Sequence, residues 1–392
     1  MQNIDFNNTQ IAFEYRSDRA LKKANFLFSI LTYPWLVNLG SPVILALRKV
    51  RLAPLWLLKP MMFGHFCGGV NLEETAAVAE KLNKYNVKSI PDYSVEGKTT
   101  NSGIDAGVEE IVQSIVAASK NPNFAFSVFK PTGLAPADLL EKMSNHTSLT
   151  EKEQEMAQQF HLRFERICKT ASDYQVRLLI DAEEFCFQNL IDAKTEEMMK
   201  RYNKDKVVVY NTVQMYRHDR EVYVNELIER AKSGGFFIGL KVVRGAYLEK
   251  ENLRAKQGDY PTPIHASKEA TDAAYDRVAK TIVNNIDRCE LFLGTHNLKS
   301  VEELMAIMKE KGIAKNDPRI VFSQLFGMSD HLSFNLAKEN YNVVKYLPYG
   351  PVNEIIPYLI RRAQENTSVA GQTGRELALI RQELNRRNKR KS

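Results

Sequence analysis

Apolar residues fall in two rhythms along this chain. Between residues 87 and 346, short runs rich in Val, Ile, Leu and Phe alternate with longer stretches of helical periodicity. The short runs, bounded by polar residues or glycine, predict strands over Val87–Val95, Phe124–Lys130, Val176–Asp181, Val207–Val213, Phe237–Val243, Glu290–Thr295, Arg319–Ser323 and Asn342–Tyr346. The longer stretches predict helices, among them Asp105–Ser119, Glu151–Ser172, Glu221–Lys232, Ser267–Ile286, Val301–Lys311 and Asp330–Lys338. Nearly continuous apolar strands separated by helices point to a parallel sheet covered on both faces. Eight such alternations predict an α/β fold, a (β/α)8 barrel of the TIM type. A doubly wound open sheet would show a G-x-G-x-x-G turn after its first strand, and the chain has none. The expected organisation is an N-terminal helical arm over 1–86, the barrel over 87–352, and a C-terminal helix with a basic tail over 353–392.

One segment departs from both rhythms. Phe26 to Leu58 is strongly apolar, yet Pro34, Asn38, Gly40 and Pro42 interrupt it and Arg48, Lys49 and Arg51 follow. A membrane span needs about 20 predominantly apolar residues. Two short amphipathic helices packed on the barrel are expected instead, with an interfacial helix as the alternative. The 392 residues are 44% hydrophobic and 26% charged, which allows a sizeable core and excludes a disordered chain. Net charge is +7, and the tail Arg381–Ser392 is strongly basic, with six Lys or Arg among its twelve residues and one acid. Such a tail either binds an anionic surface or frays into solvent. Outside it the charges nearly balance, and no zinc-finger spacing or RNA-binding aromatic motif is present, so a nucleic-acid partner is not expected. Cys67, Cys168, Cys186 and Cys289 are widely spaced, with no metal-ligand spacing and no disulfide framework. A reducing compartment is expected, and no secretory signal pattern opens the chain.

Polar residues recur at or just beyond the C-terminal ends of the predicted strands: Glu96, Lys130, Asp181, Gln214, Arg244, His296, Gln324 and Tyr346. Barrel active sites are built at these ends. Asp181 opens D-A-E-E, where it serves as a base or charge partner, or merely as a helix cap. Gln214, in N-T-V-Q-M-Y, carries an amide that both donates and accepts, which suits a heteroaromatic ring edge. Lys241 lies inside an apolar strand, where its charge needs a partner such as Asp181 or a ligand. Gly245 and Ala246 after it allow a bulky group near the backbone. Lys130, in S-V-F-K-P-T-G, pairs with an anion or acid, or forms a Schiff base. Thr295, His296 and Asn297 follow the sixth strand with groups suited to phosphates and a ring. Near the C-terminus, Y-L-I-R-R-A-Q-E-N reads as a helix. At roughly 100° per residue, Tyr358, Arg361, Arg362 and Glu365 share an arc of about 100°. Two guanidinium forks suit a planar carboxylate; a solvated Arg361–Glu365 ion pair is the plainer alternative.

Taken together, these motifs resemble the proline dehydrogenase family, from Lys130 to Asn366 and in the family's order. The most specific is Y-L-P-Y-G-P-V-N-E-I-I-P-Y-L-I-R-R-A-Q-E-N, Tyr346 to Asn366. The resemblance implies a distorted (β/α)8 barrel, FAD as cofactor, and a final helix over the barrel mouth. It implies that Arg361, Arg362 and Lys130 bind the proline carboxylate and that Tyr346, Tyr358 and Leu325 line the substrate ring. It implies that Asp181 supports the polar network and that Lys241 lies near the flavin. Ala182, Gln214, Arg244, Gly245, Ala246, Tyr247, Thr295, His296, Asn297 and Glu365 match cofactor-contacting positions.

The chain departs from the family pattern in two places. Many bacterial relatives carry Arg where this chain has Lys241 and Lys where it has Arg244; here the order is that of mitochondrial-type members. Relatives also often carry Glu where Val70 follows Gly69, an acid that can pair with the arginine matching Arg361. The resemblance further implies oxidation of L-proline to Δ1-pyrroline-5-carboxylate with electrons passed to a membrane quinone, and a separate pyrroline-5-carboxylate dehydrogenase downstream. A hydroxyproline dehydrogenase of the same family is the alternative, which Tyr346 disfavours by filling the space for a hydroxyl. A Schiff-base lyase or aldolase is a more distant one. No metal is expected. The expected location is cytoplasmic, with peripheral contact at the inner face of a membrane.

Overall fold

The computed structural model describes residues 4–33, 35, 62–95, 100–368 and 372–390, with the side chains of 364–368 and 372–373 excepted. Glu96, the Glu365 side chain and most of the Phe26–Leu58 stretch lie outside the described residues. Among the described residues, no helix is long and apolar enough to cross a membrane.

All eight predicted strands form: β1 (Val87–Tyr93), β2 (Ser127–Phe129), β3 (Leu178–Ile180), β4 (Val209–Gln214), β5 (Ile238–Val243), β6 (Cys289–Gly294), β7 (Ile320–Leu325) and β8 (Val343–Tyr349). They make one sheet in the order β1-β8-β7-β6-β5-β4-β3-β2, with helices interleaved. This is the expected nearly closed (β/α)8 barrel. Every residue of β2, β3, β4 and β8 is buried, including the polar Asn211, Thr212 and Gln214 of β4 and Lys345 of β8. Local chemistry sets the helix starts. Thr150 and Glu153 form a reciprocal capping box at the head of the Glu151–Asp173 helix, and the Ser267 side chain caps Lys268–Asn284.

The chain divides into two compact units. One is Glu96–Ser323, with β2 to β6 and the start of β7. Its adjacent strands run parallel in register: Phe129 faces Ile180, Ile180 faces Asn211, and Thr212 faces Lys241. One step beyond the first two pairs, Lys130, Asp181, Thr212 and Lys241 fall in a single row across four strands. Residues at one level of neighbouring strands point to the same side of a sheet. All four side chains are polar and three are charged, so the backbone register itself gathers them.

The other unit is Met1–Val95 with Gln324–Ser392. β1 pairs with β8 from Val87↔Val343 to Tyr93↔Tyr349. Its apolar cluster joins Phe13, Leu21 and Phe28 of the N-terminal helices to Ile355, Tyr358, Leu359 and Ala363 of the Val352–Ser368 helix, and to Leu377 and Ile380 of Gln372–Lys389. Beside it lies a buried charge network. Asp330 accepts from the Tyr15 hydroxyl at 2.8 Å, Arg16 Nε at 2.9 Å and Lys345 Nζ at 2.8 Å.

The C-terminal stretch is neither frayed nor simply solvated. It is helical to Lys389, and Glu383, fully buried, accepts from Arg386 and Arg387 at 2.7 Å. Arg387 also donates to the Phe13 and Arg16 carbonyls and to Asp18. Two arginines that sequence reading placed in a basic tail are thus spent on holding the N-terminal helices.

Candidate active site

In the Glu96–Ser323 unit the row of strand-end residues forms a connected cluster. Asp181 is buried and accepts from Lys130 Nζ at 2.6 Å through one oxygen and from Lys241 Nζ at 2.5 Å through the other. The pairing expected for Lys241 is therefore present, with Lys130 as a second partner. Burial pushes the Asp181 carboxyl up, but the two ammonium groups outweigh it and hold the group at about 2. Thr212, between them in the row, has a buried hydroxyl without a hydrogen-bond partner among the described residues. Sequence reading passed over Thr212; its register opposite Lys241 is the signal that marks it.

The depressed Asp181 carboxyl gives stability a definite pH dependence. A carboxyl lowered from 3.8 to about 2 contributes stability that is complete above the unfolded value and is lost as pH falls through the folded one. The melting temperature should therefore fall between about pH 4 and pH 2 by more in the native protein than in an Asp181→Asn variant. Equal acid sensitivity in calorimetric scans of the two would refute this.

Glu183, two residues on, is also buried. Its carboxylate accepts from the Thr132 N–H at 2.8 Å and the Thr132 hydroxyl at 2.6 Å. Burial pushes its carboxyl up to about 7, partly offset by Lys130 and the Thr132 bonds. Gln214 is buried at the end of β4. Its Nε2 donates to the Glu183 carbonyl at 2.7 Å and its Oε1 accepts from the Ala246 N–H at 3.3 Å. Ala182 is half-buried between Asp181 and Glu183.

Arg244, just past β5, is anchored on three sides. It donates to Asp272 at 2.5 Å, the Thr295 hydroxyl at 2.8 Å and the Ser300 hydroxyl at 2.9 Å, and lies 4.3 Å from the Tyr275 ring centroid. Gly245 has φ +132°, and a Cβ there would stand 2.5 Å from the Tyr216 ring. The close approach expected at this glycine is thus already made by a side chain of the protein. Ala246 is exposed and Tyr247 half-buried. Thr295 is buried, and its hydroxyl also accepts from the Asn297 N–H at 3.0 Å. Asn297 caps the Leu298–Glu310 helix, whose N-terminal amides begin directly after β6, with half-buried His296 between. A helix start at a strand end favours an anion such as phosphate.

In the other unit, Tyr346 is buried in β8 and Leu325, at the end of β7, packs on the apolar cluster. On the Val352–Ser368 helix, Ile355, Leu359 and Ala363 form the buried face, with Tyr358 beside them. Arg361 and Arg362 are half-buried, and the Arg362 guanidinium lies 5.2 Å from the Tyr358 ring centroid, a cation–π arrangement. A fully solvated helix face is therefore not what this segment forms. Val70 also packs on the cluster, and its N–H donates to Glu74 Oε2 at 3.0 Å. An acid is present close to the position where the family often carries one, but it engages the backbone of Val70.

Eight parallel strands thus form a barrel in which two lysines, at the end of β2 and in β5, share one carboxylate after β3, with the Gln214 amide and the Arg244 guanidinium at other strand ends. The chain belongs to the proline dehydrogenase family, whose sequence profile, described as Proline dehydrogenase, matches residues 75–375. It is 32% identical over 376 residues to a protein named Proline dehydrogenase 1, mitochondrial, of Dictyostelium discoideum, covering 85% of this chain and 66% of that one. A protein of the same name from Drosophila melanogaster is 40% identical over 246 residues, covering 60% of this chain and 36% of that one. The fold is similar to a crystal structure of proline utilization A from Bdellovibrio bacteriovorus inactivated by N-propargylglycine. Its TM-score is 0.71 at 19% identity, covering 92% of this chain and 38% of that one. The chain thus spans less than two thirds of the length of each of these three proteins. Members of the family are FAD flavoenzymes.

Proposed function

We propose that this protein oxidises L-proline to Δ1-pyrroline-5-carboxylate with FAD as cofactor. The observation that carries the reading is the Lys130–Asp181–Lys241 cluster at or near the ends of β2, β3 and β5, within the stretch matched to the family. The residues present fit FAD by their chemistry. The partnerless Thr212 hydroxyl and the Gln214 amide suit a ring edge, while Arg244 and the helix start after Asn297 suit phosphates. Gln214, Arg244, Thr295, His296 and Asn297, with the backbone of Ala182, Gly245 and Ala246 and the Tyr247 ring, would hold the cofactor. Glu365 keeps the role its family position implies.

Bound FAD supplies the hydride acceptor: a hydride leaves C5 of proline, the nitrogen lone pair closes the C=N bond, and the amine proton goes to solvent. Lys241 holds a fixed positive charge that stabilises negative charge accumulating as the hydride is transferred. Asp181 keeps Lys130 and Lys241 in place. Arg361 and Arg362 bind the substrate carboxylate and so fix the orientation of C5. Tyr346, Tyr358 and Leu325 pack against the ring, and the bulk of Tyr346 favours L-proline over a hydroxylated ring. Lys130 adds a cation for the same anion. A Schiff-base mechanism is disfavoured, because both lysine amines are engaged by the Asp181 carboxylate. Proline-dependent reduction of a soluble dye with formation of the pyrroline product tests the reading; no turnover by FAD-loaded protein would refute it.

A quinone as final acceptor, a separate dehydrogenase for the product, and a cytoplasmic location with peripheral membrane contact belong to the same proposal. The contact is supported by the Asp18–Leu31 helix. Its outward side carries Arg19, Lys22 and Lys23, with Phe26 57% exposed, a pattern suited to an anionic lipid surface. Sedimentation with anionic vesicles, and its loss in a Lys22→Glu/Lys23→Glu variant, is the expected result. Binding that ignores these charges would sink it.

A further inference from the structure

Glu183 has no part in the mechanism above, yet its carboxylate and carbonyl reach two other strand ends, and its N–H ties it to the helix that follows. Its carboxylate holds both the N–H and the hydroxyl of Thr132, in the turn that leaves β2 directly after Lys130. Its carbonyl receives Gln214 Nε2 at the end of β4, and Gln214 in turn receives the Ala246 N–H beyond β5. Its own N–H donates to Gln188 at 2.9 Å, and Gln188 donates to Asp192 at 2.9 Å. Asp192 also accepts from Asn211 of β4 at 2.9 Å and from Arg220 at 2.5 Å. A side-chain amide can flip; donation from Nε2 to the Glu183 carbonyl and acceptance at Oε1 from Ala246 leave Gln214 one orientation. A lysine side chain is flexible; its base is fixed only if the turn that follows is fixed. A bland capping role does not account for these contacts, because the Glu183 carboxylate bonds to a different strand's exit, not to its own helix.

We propose that Glu183 is a positioning residue: through Thr132 it sets Lys130, and through its carbonyl it sets the Gln214 amide, so that both meet their ligands in one geometry. This role rests on the proposed dehydrogenase reading.

Two probes test it without turnover: FAD, and tetrahydrofuran-2-carboxylate, which has the ring and carboxylate of proline but no nitrogen to oxidise. Their dissociation constants are measured on the full chain, together with the melting temperature. Glu183→Met keeps the length and removes both acceptor oxygens. It should weaken binding of the ring carboxylate about tenfold and of FAD several-fold, in protein that still melts cooperatively. Glu183→Gln keeps an oxygen for the Thr132 N–H and an N–H for its hydroxyl, and should restore most of the binding. Wild-type affinities in Glu183→Met overturn the role. So does a Glu183→Gln no better than Glu183→Met, which would assign the effect to charge alone. If Glu183→Met fails to fold, Thr132→Val decides: about threefold weaker ring-carboxylate binding at an unchanged melting temperature is expected, and unchanged binding overturns the role. A wild-type protein that binds neither probe refutes the dehydrogenase reading and this role with it. Binding in the wild type that is unaltered in the variants refutes this role alone.

Discussion

Replacing Arg361 or Arg362 with alanine is expected to raise KM for L-proline steeply while FAD stays bound. Each guanidinium offers a charge-assisted, fork-shaped contact to a carboxylate, and loss of one partner of such a pair costs about 2–4 kcal/mol. That corresponds to a factor of roughly 30 to 900 in KM. Both side chains are half-buried on a helix that Ile355, Leu359 and Ala363 lock into the core. A substrate held by arginines on so anchored a helix has little freedom to find another grip. Arg→Lys at either position should recover only part of the loss, because an ammonium cannot reproduce the fork. Steady-state kinetics with a dye acceptor, beside the visible spectrum for FAD content, separates the two effects. Unchanged KM in both alanine variants would remove these residues from the substrate site.

The second large effect is expected at Asp181. Removing one partner from a buried ion pair leaves a charge that nothing offsets, at about 3–5 kcal/mol. Here one carboxylate serves two ammonium groups, so Asp181→Ala takes a charge partner from both Lys130 and Lys241. The melting temperature should drop by about 4–6 °C, and activity should fall with it. Pairing Asp181→Ala with Lys241→Met removes one of the two cations that Asp181 offsets and should return part of the stability, a non-additivity that a double-mutant cycle measures directly. A melting temperature that Asp181→Ala leaves untouched would show that the three groups are not coupled.

Much of this was legible in the chain. Strands buried on both faces are written as unbroken apolar runs, and each of the eight was found within a few residues of its place. The ends were less exact: β8 runs on to Tyr349 through Pro348, whose ring suggests a stop, but whose lack of an N–H costs nothing near a strand end. Asp181, Gln214 and Lys241 stood out because polar side chains at the ends of apolar strands need partners. Thr212 and Glu183 did not, since a threonine in a strand and a glutamate before a helix are unremarkable until register and hydrogen bonds are known. Gly245 was read as making room for a ligand, whereas its neighbour is the Tyr216 ring. The basic C-terminus misled most: a run of arginines carries no mark of Glu383 buried beneath it or of the helix carbonyls it caps.

The central claim is that this family member is an FAD-dependent proline oxidant, and the visible spectrum of the FAD-loaded protein under anaerobic conditions tests it most directly. Addition of L-proline should bleach the flavin absorbance band, with the pyrroline product appearing in equal amount. A flavin band that L-proline leaves unchanged, in protein shown to contain FAD, would contradict the account.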